Sequence, residues 1–342
     1  MNTRRLGMEW LVIGYFISYL PNVVLTRLTT SAEHGPYVRP LSGLEVLPSS
    51  LIINFALTLA FVYAAGWVRD AHSARIGRWR VPVPTRYTLL SGIGTSFILF
   101  TVPLSLTFRD VSIPFIQLLM RGDILVIAPL VDLLYRRRVR WWSWTALVLV
   151  SIGLALVVRQ RGGFHLPPLA WLTVVLYTLG YFMRLAVMTH VGKTGDAAAM
   201  RRYFVEEKVV ALPLAVLCLA LLSSSGFGAQ SGELEWGFVQ VWSEAALWYV
   251  AGIALTLTVI SVFAIMILMD VRENAYCVPL ERSSSLLAGI GGAWLLHWGW
   301  GQQAPTGTEM LGAAFLVAAI VLLTAAPRLV ARRAAARAGS RP

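Results

Sequence analysis

The chain has 342 residues, of which 57% are hydrophobic and only 13% charged, yet 29 Lys and Arg against 17 Asp and Glu leave a formal charge of +12. A soluble globular domain carries about 25% charged residues, so this composition excludes a disordered chain and argues against an ordinary cytosolic enzyme. An apolar excess of this size cannot be hidden in water and is the surface a bilayer requires.

The first residues, Met1 to Arg5, lead into an apolar stretch in the manner of a signal peptide. That stretch contains Glu9, runs on through Pro21 and Asn22, and has no small-x-small cleavage site, so it reads as a retained first span. A helix crosses the hydrocarbon core with about 20 mostly apolar residues. Runs of that kind predict ten spans: 8–27, 46–68, 87–108, 112–134, 141–158, 168–190, 203–224, 243–269, 275–296 and 308–326. The connections are short and punctuated by Pro, Gly and charge, including an acidic loop over 225–242 with Glu233 and Glu235. Cys218 and Cys277 lie in apolar runs, without a partner at disulfide or metal-ligand spacing, and read as small buried hydrophobes.

Placing the amino terminus inside gathers most of the 29 basic residues on one side of the membrane. Arg75, Arg78, Arg80, Arg86, Arg136 to Arg138, Arg201, Arg202, Arg272 and the arginines after Arg328 all fall there. Both termini are then cytoplasmic, and the short Arg-rich loops point to a bacterial inner membrane. The net charge is thus mainly an orientation signal, and no nucleic-acid partner is needed to explain it.

Arg121, Arg184, Lys208 and Arg282 are left inside spans. A charge at that depth costs at least ~2.5–3.5 kcal/mol and persists only if it is paired or faces a water-filled cavity. On a helical wheel Gln117, Arg121, Ala128 and Asp132 share a face, whereas Asp123 points elsewhere. Arg121 therefore reads either as an anion ligand or as half of a structural ion pair with an acid such as Asp123. Arg282 has Ser285 and Gly289 on its face, leaving room for a ligand. Arg184 and Lys208 read as snorkelling anchors, with Glu206 and Glu207 beside Lys208 as an interfacial cluster or as proton acceptors. Tyr15, Tyr19, Asn22, Asn54 and Tyr177 read either as pathway-lining groups or as helix–helix hydrogen bonds.

An internal repeat emerges when 115–158 is set against 276–326. Leu119, Met120 and Arg121 fall on Leu280, Glu281 and Arg282, and Gly153 falls on Gly312. Asp110 and Val111 close one span as Asp270 and Val271 close another. A unit of five spans is odd, so its two copies lie upside down relative to each other, the hallmark of secondary transporters. The expected fold is an all-α integral membrane protein of ten transmembrane helices in two inverted five-helix repeats. These span 1–163 and 164–327 and are followed by a basic cytoplasmic tail, 328–342.

The segments SLTFRDVSIPFIQLLMRGDILVIAPLVDLLY, WSWTALVLVSIGLALV and YFVEEKVVALPLAV, in this order, resemble the drug/metabolite transporter superfamily in its ten-helix form. The resemblance is nearest the triose-phosphate and nucleotide-sugar transporter branch and covers about 8–326. It implies that basic residues on the fourth and ninth helices, here Arg121 and Arg282, bind substrate phosphate. That branch usually carries Lys-Arg or Lys-Thr on the ninth helix; Glu281 stands in place of the lysine here, which brings in proton coupling.

The functional expectation is a secondary transporter of a small anionic organic metabolite (sugar phosphate, nucleotide sugar or organic acid), working by exchange or proton coupling. Arg121, Arg282, Gln117, Ser285 and Tyr177 are the candidate substrate ligands. Glu281, Glu206, Glu207 and Asp123 are the candidate coupling or gating groups, with Glu281 placed to meet Arg121 in one state of the cycle. The alternative is proton-coupled export of a neutral or amphiphilic metabolite, or flipping of a lipid-linked intermediate. Dispersed histidines and the lack of HExxH, GxSxG, Walker or GxGxxG motifs give no catalytic residue, metal or cofactor. The sequence leaves the oligomeric state open.

Overall fold

The computed structural model describes residues 7–30, 40–76, 79–105, 127–160, 168–226, 228–302, 304 and 307–339. Almost all of them are helical. In chain order the helices are α1 (Met8–Thr30), α2 (Gly43–Ala64), α3 (Arg86–Ser105), α4 (127–134), α5 (Trp141–Gln160) and α6 (Pro168–Val191). They continue with α7 (Ala197–Ser224), α8 (Gly228–Val239), α9 (Leu247–Leu268), α10 (Asn274–Trp300) and α11 (Gly307–Gly339). Every described helix except α8 falls on a predicted span. The fourth span, 112–134, is described only from residue 127.

Among the described residues five helices are long and apolar enough to cross a membrane: Met8–Thr30, Gly43–Ala64, Trp171–Val191, Leu247–Leu268 and Met310–Val330. The outer surface agrees with this, since Trp10, Ile17, Leu133, Leu221, Trp248 and Trp298 are all more than half exposed. Soluble monomers rarely expose apolar area on this scale. The fold is that of an all-α membrane protein. Helices α3, α7 and α10 carry polar groups that the bundle buries, among them Thr88, Ser91, Thr95, Glu206, Glu207 and Glu281.

Three local features differ from the sequence expectation. The basic loop before α3 forms an antiparallel hairpin, β1 (Ser73–Ile76) with β2 (Trp79–Pro82), in which Ser73 faces Pro82 and Ile76 faces Trp79. The acidic loop 225–242 contains α8, which lies across the start of α2. There Ser42 caps α2 through a reciprocal pair with Glu45 and also donates to Glu233 of α8 at 2.7 Å. The tail after 328 continues α11 as far as Gly339. Trp142 is buried, and Trp67 packs edge-on against Phe61 and Phe204.

The helix pairing follows a pattern. α3 packs on α6 and α7, whereas α9 packs on α1 and α2; α5 lies against α11, and α2 against α7. Small residues permit the close contacts. A Cβ on Gly180 of α6 would stand 2.5 Å from the Gly94 carbonyl oxygen of α3. One on Gly14 of α1 would meet the Phe263 ring of α9, and one on Gly153 of α5 would stand 3.2 Å from the Gly312 oxygen of α11. Without a hydrophobic drive between helices in lipid, such close backbone approach is a main source of packing energy.

Arg137 follows α4, Arg140 precedes α5, Lys193 follows α6, Arg201 lies in the first turns of α7 and Arg272 precedes α10; Arg137 and Lys193 both donate to the Arg272 carbonyl, and this end of the bundle is here called the basic end. Asp132 of α4 is fully buried there and receives the Asn274 and Ala275 amides (3.0 and 2.8 Å) and Asn274 Nδ2 (2.9 Å). A carboxylate at a helix N-terminus satisfies orphan amides and complements the helix dipole. Ser143 donates to Glu273 at 2.9 Å, and Lys193 to the Arg272 carbonyl at 2.7 Å, so the turn before α10 is fastened to α4, α5 and α6.

Candidate functional site

Roughly two turns in from the basic end of α10, Glu281 and Arg282 turn toward α1 and α6. The Tyr15 hydroxyl of α1 donates to Glu281 Oε1 at 2.6 Å, and Glu281 Oε2 lies 3.1 Å from Arg282 Nε. The Arg282 guanidinium sits 4.8 Å above the centre of the Tyr181 ring of α6. Tyr177, one turn along α6, is buried with its ring 6.0 Å from Tyr181, and Tyr19 lies 5.6 Å from Tyr15. The Tyr181 hydroxyl is buried and has no hydrogen-bond partner among the described residues. The result is an arginine held between a carboxylate and an aromatic face, an arrangement that presents the planar fork for bidentate contact. A Cβ on Gly289, two turns further along α10, would have no described atom within 4 Å. Ser285 donates to the Arg282 carbonyl at 2.8 Å and braces the helix there.

A second buried ion pair lies on the far side of Tyr181. Arg184 follows Tyr181 on the same face of α6 and donates through Nε to Glu207 Oε1 of α7 at 2.7 Å. The same carboxylate oxygen receives Thr95 Oγ1 of α3 at 2.5 Å and Tyr203 Oη at 3.3 Å. Glu207 is fully buried, and the Arg184 side chain is 13% exposed. Arg184 is therefore a paired internal charge rather than a snorkelling anchor. Lys208 is also buried, 5.7 Å from the centre of the Phe204 ring.

Glu206 and Glu207 are neighbours in sequence, but a helix turns about 100° per residue, so they face different surroundings. Glu206 points to the hairpin, where Oε1 receives the His72 amide at 3.0 Å and lies 2.7 Å from His72 Nδ1; Oε2 receives Thr88 Oγ1 at 2.8 Å. It fastens the hairpin and the start of α3, away from Glu281. Asp132, read from sequence as part of the Arg121 face, spends its carboxylate on the start of α10. Asn22 and Asn54 bond to Thr256 and Thr258 of α9 and so act between helices. Arg121, Gln117 and Asp123 lie outside the described residues, as does any contact between Arg121 and Glu281.

The structure thus brings together Glu281, Arg282, Tyr177 and Tyr15 from the sequence reading, joins Arg184 to Glu207, and adds Tyr181. A sequence signal for Tyr15 and Tyr181 exists. Gly14, Tyr15 and Phe16 of α1 recur as Gly180, Tyr181 and Phe182 of α6. In both copies the glycine makes the close helix contact, with α9 and α3 respectively, and the tyrosine reaches the Glu281–Arg282 group. Among the described residues no three His, Cys, Asp or Glu side chains cluster as a metal site would require.

No protein-family model and no curated protein sequence matches the chain. Among solved structures, one crystal structure of a protein superposes with a TM-score of 0.63 at 17% sequence identity. The match covers 96% of this chain and 99% of the other, a likeness of fold alone.

Proposed function

We propose that the chain is a secondary transporter of a small anionic organic metabolite, working by alternating access between two inverted halves, 1–163 and 164–327. In this reading it is built like the drug/metabolite transporter superfamily and has both termini in the cytoplasm of a bacterial cell. The observation that carries the proposal is Arg282, an arginine within the helix bundle whose side chain is only 15% exposed, paired with Glu281 and stacked on Tyr181. Such a group in a membrane helix is a functional site by default.

The helix pairing supports the two-half architecture. Exchanging α1, α2, α3 and α5 with α6, α7, α9 and α11 turns the α3–α6 contact into α9–α1, and α3–α7 into α9–α2. The same exchange maps α5–α11 and α2–α7 onto themselves. Gly153 and Gly312, paired by the sequence repeat, touch each other as residues on a pseudo-twofold axis must. The recurring Gly-Tyr-Phe adds a third correspondence.

One observation favours the second reading, export of a neutral or amphiphilic metabolite or flipping of a lipid-linked intermediate. Glu281 already offsets the charge of Arg282, and tyrosines line the group. A thermal-shift screen of purified protein with glucose 6-phosphate, UDP-glucose, citrate and uncharged sugars separates the two. Ligand at about 100 times its Kd stabilises by ~2.7 kcal/mol. Stabilisation by anions, lost in Arg282→Gln, is the expected result; stabilisation by uncharged or cationic compounds alone overturns it.

A further inference from the structure

Among the buried glutamates of the described residues, Glu206 and Glu207 of α7 and Glu281 of α10 lie within predicted spans, and their surroundings separate them. Glu206 is engaged through both oxygens by the hairpin and the start of α3. Glu207 has Arg184 at 2.7 Å and the Thr95 and Tyr203 hydroxyls on one oxygen. Its Oε2 has no hydrogen-bond partner among the described residues, yet donors in this number around a carboxylate favour the ionised form. Among the described residues Glu281 is held by less: one tyrosine on Oε1, and on Oε2 only the Arg282 contact at 3.1 Å, which is not aligned as a hydrogen bond. The charged and titratable groups around Glu281 among the described residues are Tyr15 and Tyr19 on α1, Tyr177 and Tyr181 on α6, and Arg282 on α10. Arg184 lies one turn beyond Tyr181. Among the described residues Arg282 is the one cation in direct contact with it.

We propose that Glu281 is the proton-binding residue of the cycle, and that its protonation releases Arg282 to bind the anionic cargo. This rests on the transporter reading above. The proton passes from water to Oε2, the oxygen facing Arg282, while Oε1 keeps the Tyr15 hydrogen bond. No other bond forms or breaks, and the guanidinium loses its internal counter-ion. An anion arriving at Arg282 without that proton would sit beside an uncompensated carboxylate in a low-dielectric site. Proton and anion therefore strengthen each other's binding, and by linkage the effect is reciprocal. One proton accompanies each anion bound, and anion affinity rises as pH falls.

The test is infrared difference spectroscopy of the reconstituted full chain between mildly alkaline and mildly acidic pH. The expected result is a band from a carboxylic acid shielded from water, present in wild type and in Glu207→Gln and lost in Glu281→Gln. Tyr15→Phe moves the midpoint of that band to higher pH, because the ionised form loses its donor; this variant decides the matter if Glu281→Gln does not fold. A band that survives Glu281→Gln, one lost with Glu207→Gln instead, no band in wild type, or a midpoint unmoved by Tyr15→Phe overturns the assignment. The readout uses no cargo, so a negative result refutes the proton site alone. Loss of the transporter reading would appear separately, as failure of anions to bind or cross.

Discussion

Replacing Asp132 by Ala removes the carboxylate that fastens the start of α10 to α4. It receives two backbone amides, at 3.0 and 2.8 Å, and one side-chain amide, at 2.9 Å, in a fully buried position. A buried donor left without a partner costs ~1–3 kcal/mol. Asn274 Nδ2 keeps Thr189 at 2.8 Å, so two stranded amides dominate and set a range of ~2–6 kcal/mol. Loss of an ordinary N-cap costs ~1 kcal/mol, and neighbouring terms are not additive, which places the expectation near ~3 kcal/mol. Asp132→Asn retains one acceptor oxygen and should lose about half as much. The assay is unfolding by SDS in mixed micelles, followed by circular dichroism, with hydrogen exchange at the Asn274 and Ala275 amides as the local readout. A loss of less than ~0.5 kcal/mol with unchanged exchange at those amides would refute the reasoning. It would mean that water replaces the carboxylate without cost and that α10 is held by its packing alone.

Other consequences follow from individual contacts. Gly180→Ala places a methyl group 2.5 Å from the Gly94 oxygen and should destabilise the fold by ~1–3 kcal/mol through overpacking, read in the same micelle titration. Gly289→Ala, with no described atom within 4 Å of the added methyl, should be neutral or stabilise by up to ~1 kcal/mol through helix propensity. Glu206→Gln weakens the clasp on His72 and Thr88; amide exchange at His72 should quicken about 5- to 30-fold, the equivalent of ~1–2 kcal/mol, while exchange in α10 stays unchanged.

The spans were legible because an unbroken apolar run has one physical solution in a bilayer, a helix that satisfies its own backbone. Helix α8 was not, since GAQSGELEWGFV is short, glycine-containing and acidic; contact with the start of α2 orders it. The hairpin was hidden by its arginines, which read as orientation signals while SARI and WRVP pair as antiparallel strands. In the site, Glu281 and Arg282 stood out as charges where none is cheap. The Arg184–Glu207 pair did not, because its two halves come from different helices and no spacing rule joins them. Glu206 and Glu207 were equivalent in sequence and became distinct only when the direction of each side chain was known. The Gly-Tyr-Phe recurrence was the signal left unread, since three residues gain meaning only once both tyrosines are seen to converge.

Uptake of labelled anions into proteoliposomes by wild type and Arg282→Gln, with both shown to be folded by circular dichroism, tests the central claim most directly. Removing one partner of a buried ion pair costs ~3–5 kcal/mol, so anion uptake should fall by at least ~100-fold in the variant. Anion uptake at the wild-type rate by Arg282→Gln, or wild-type transport of uncharged compounds alone, would contradict the account.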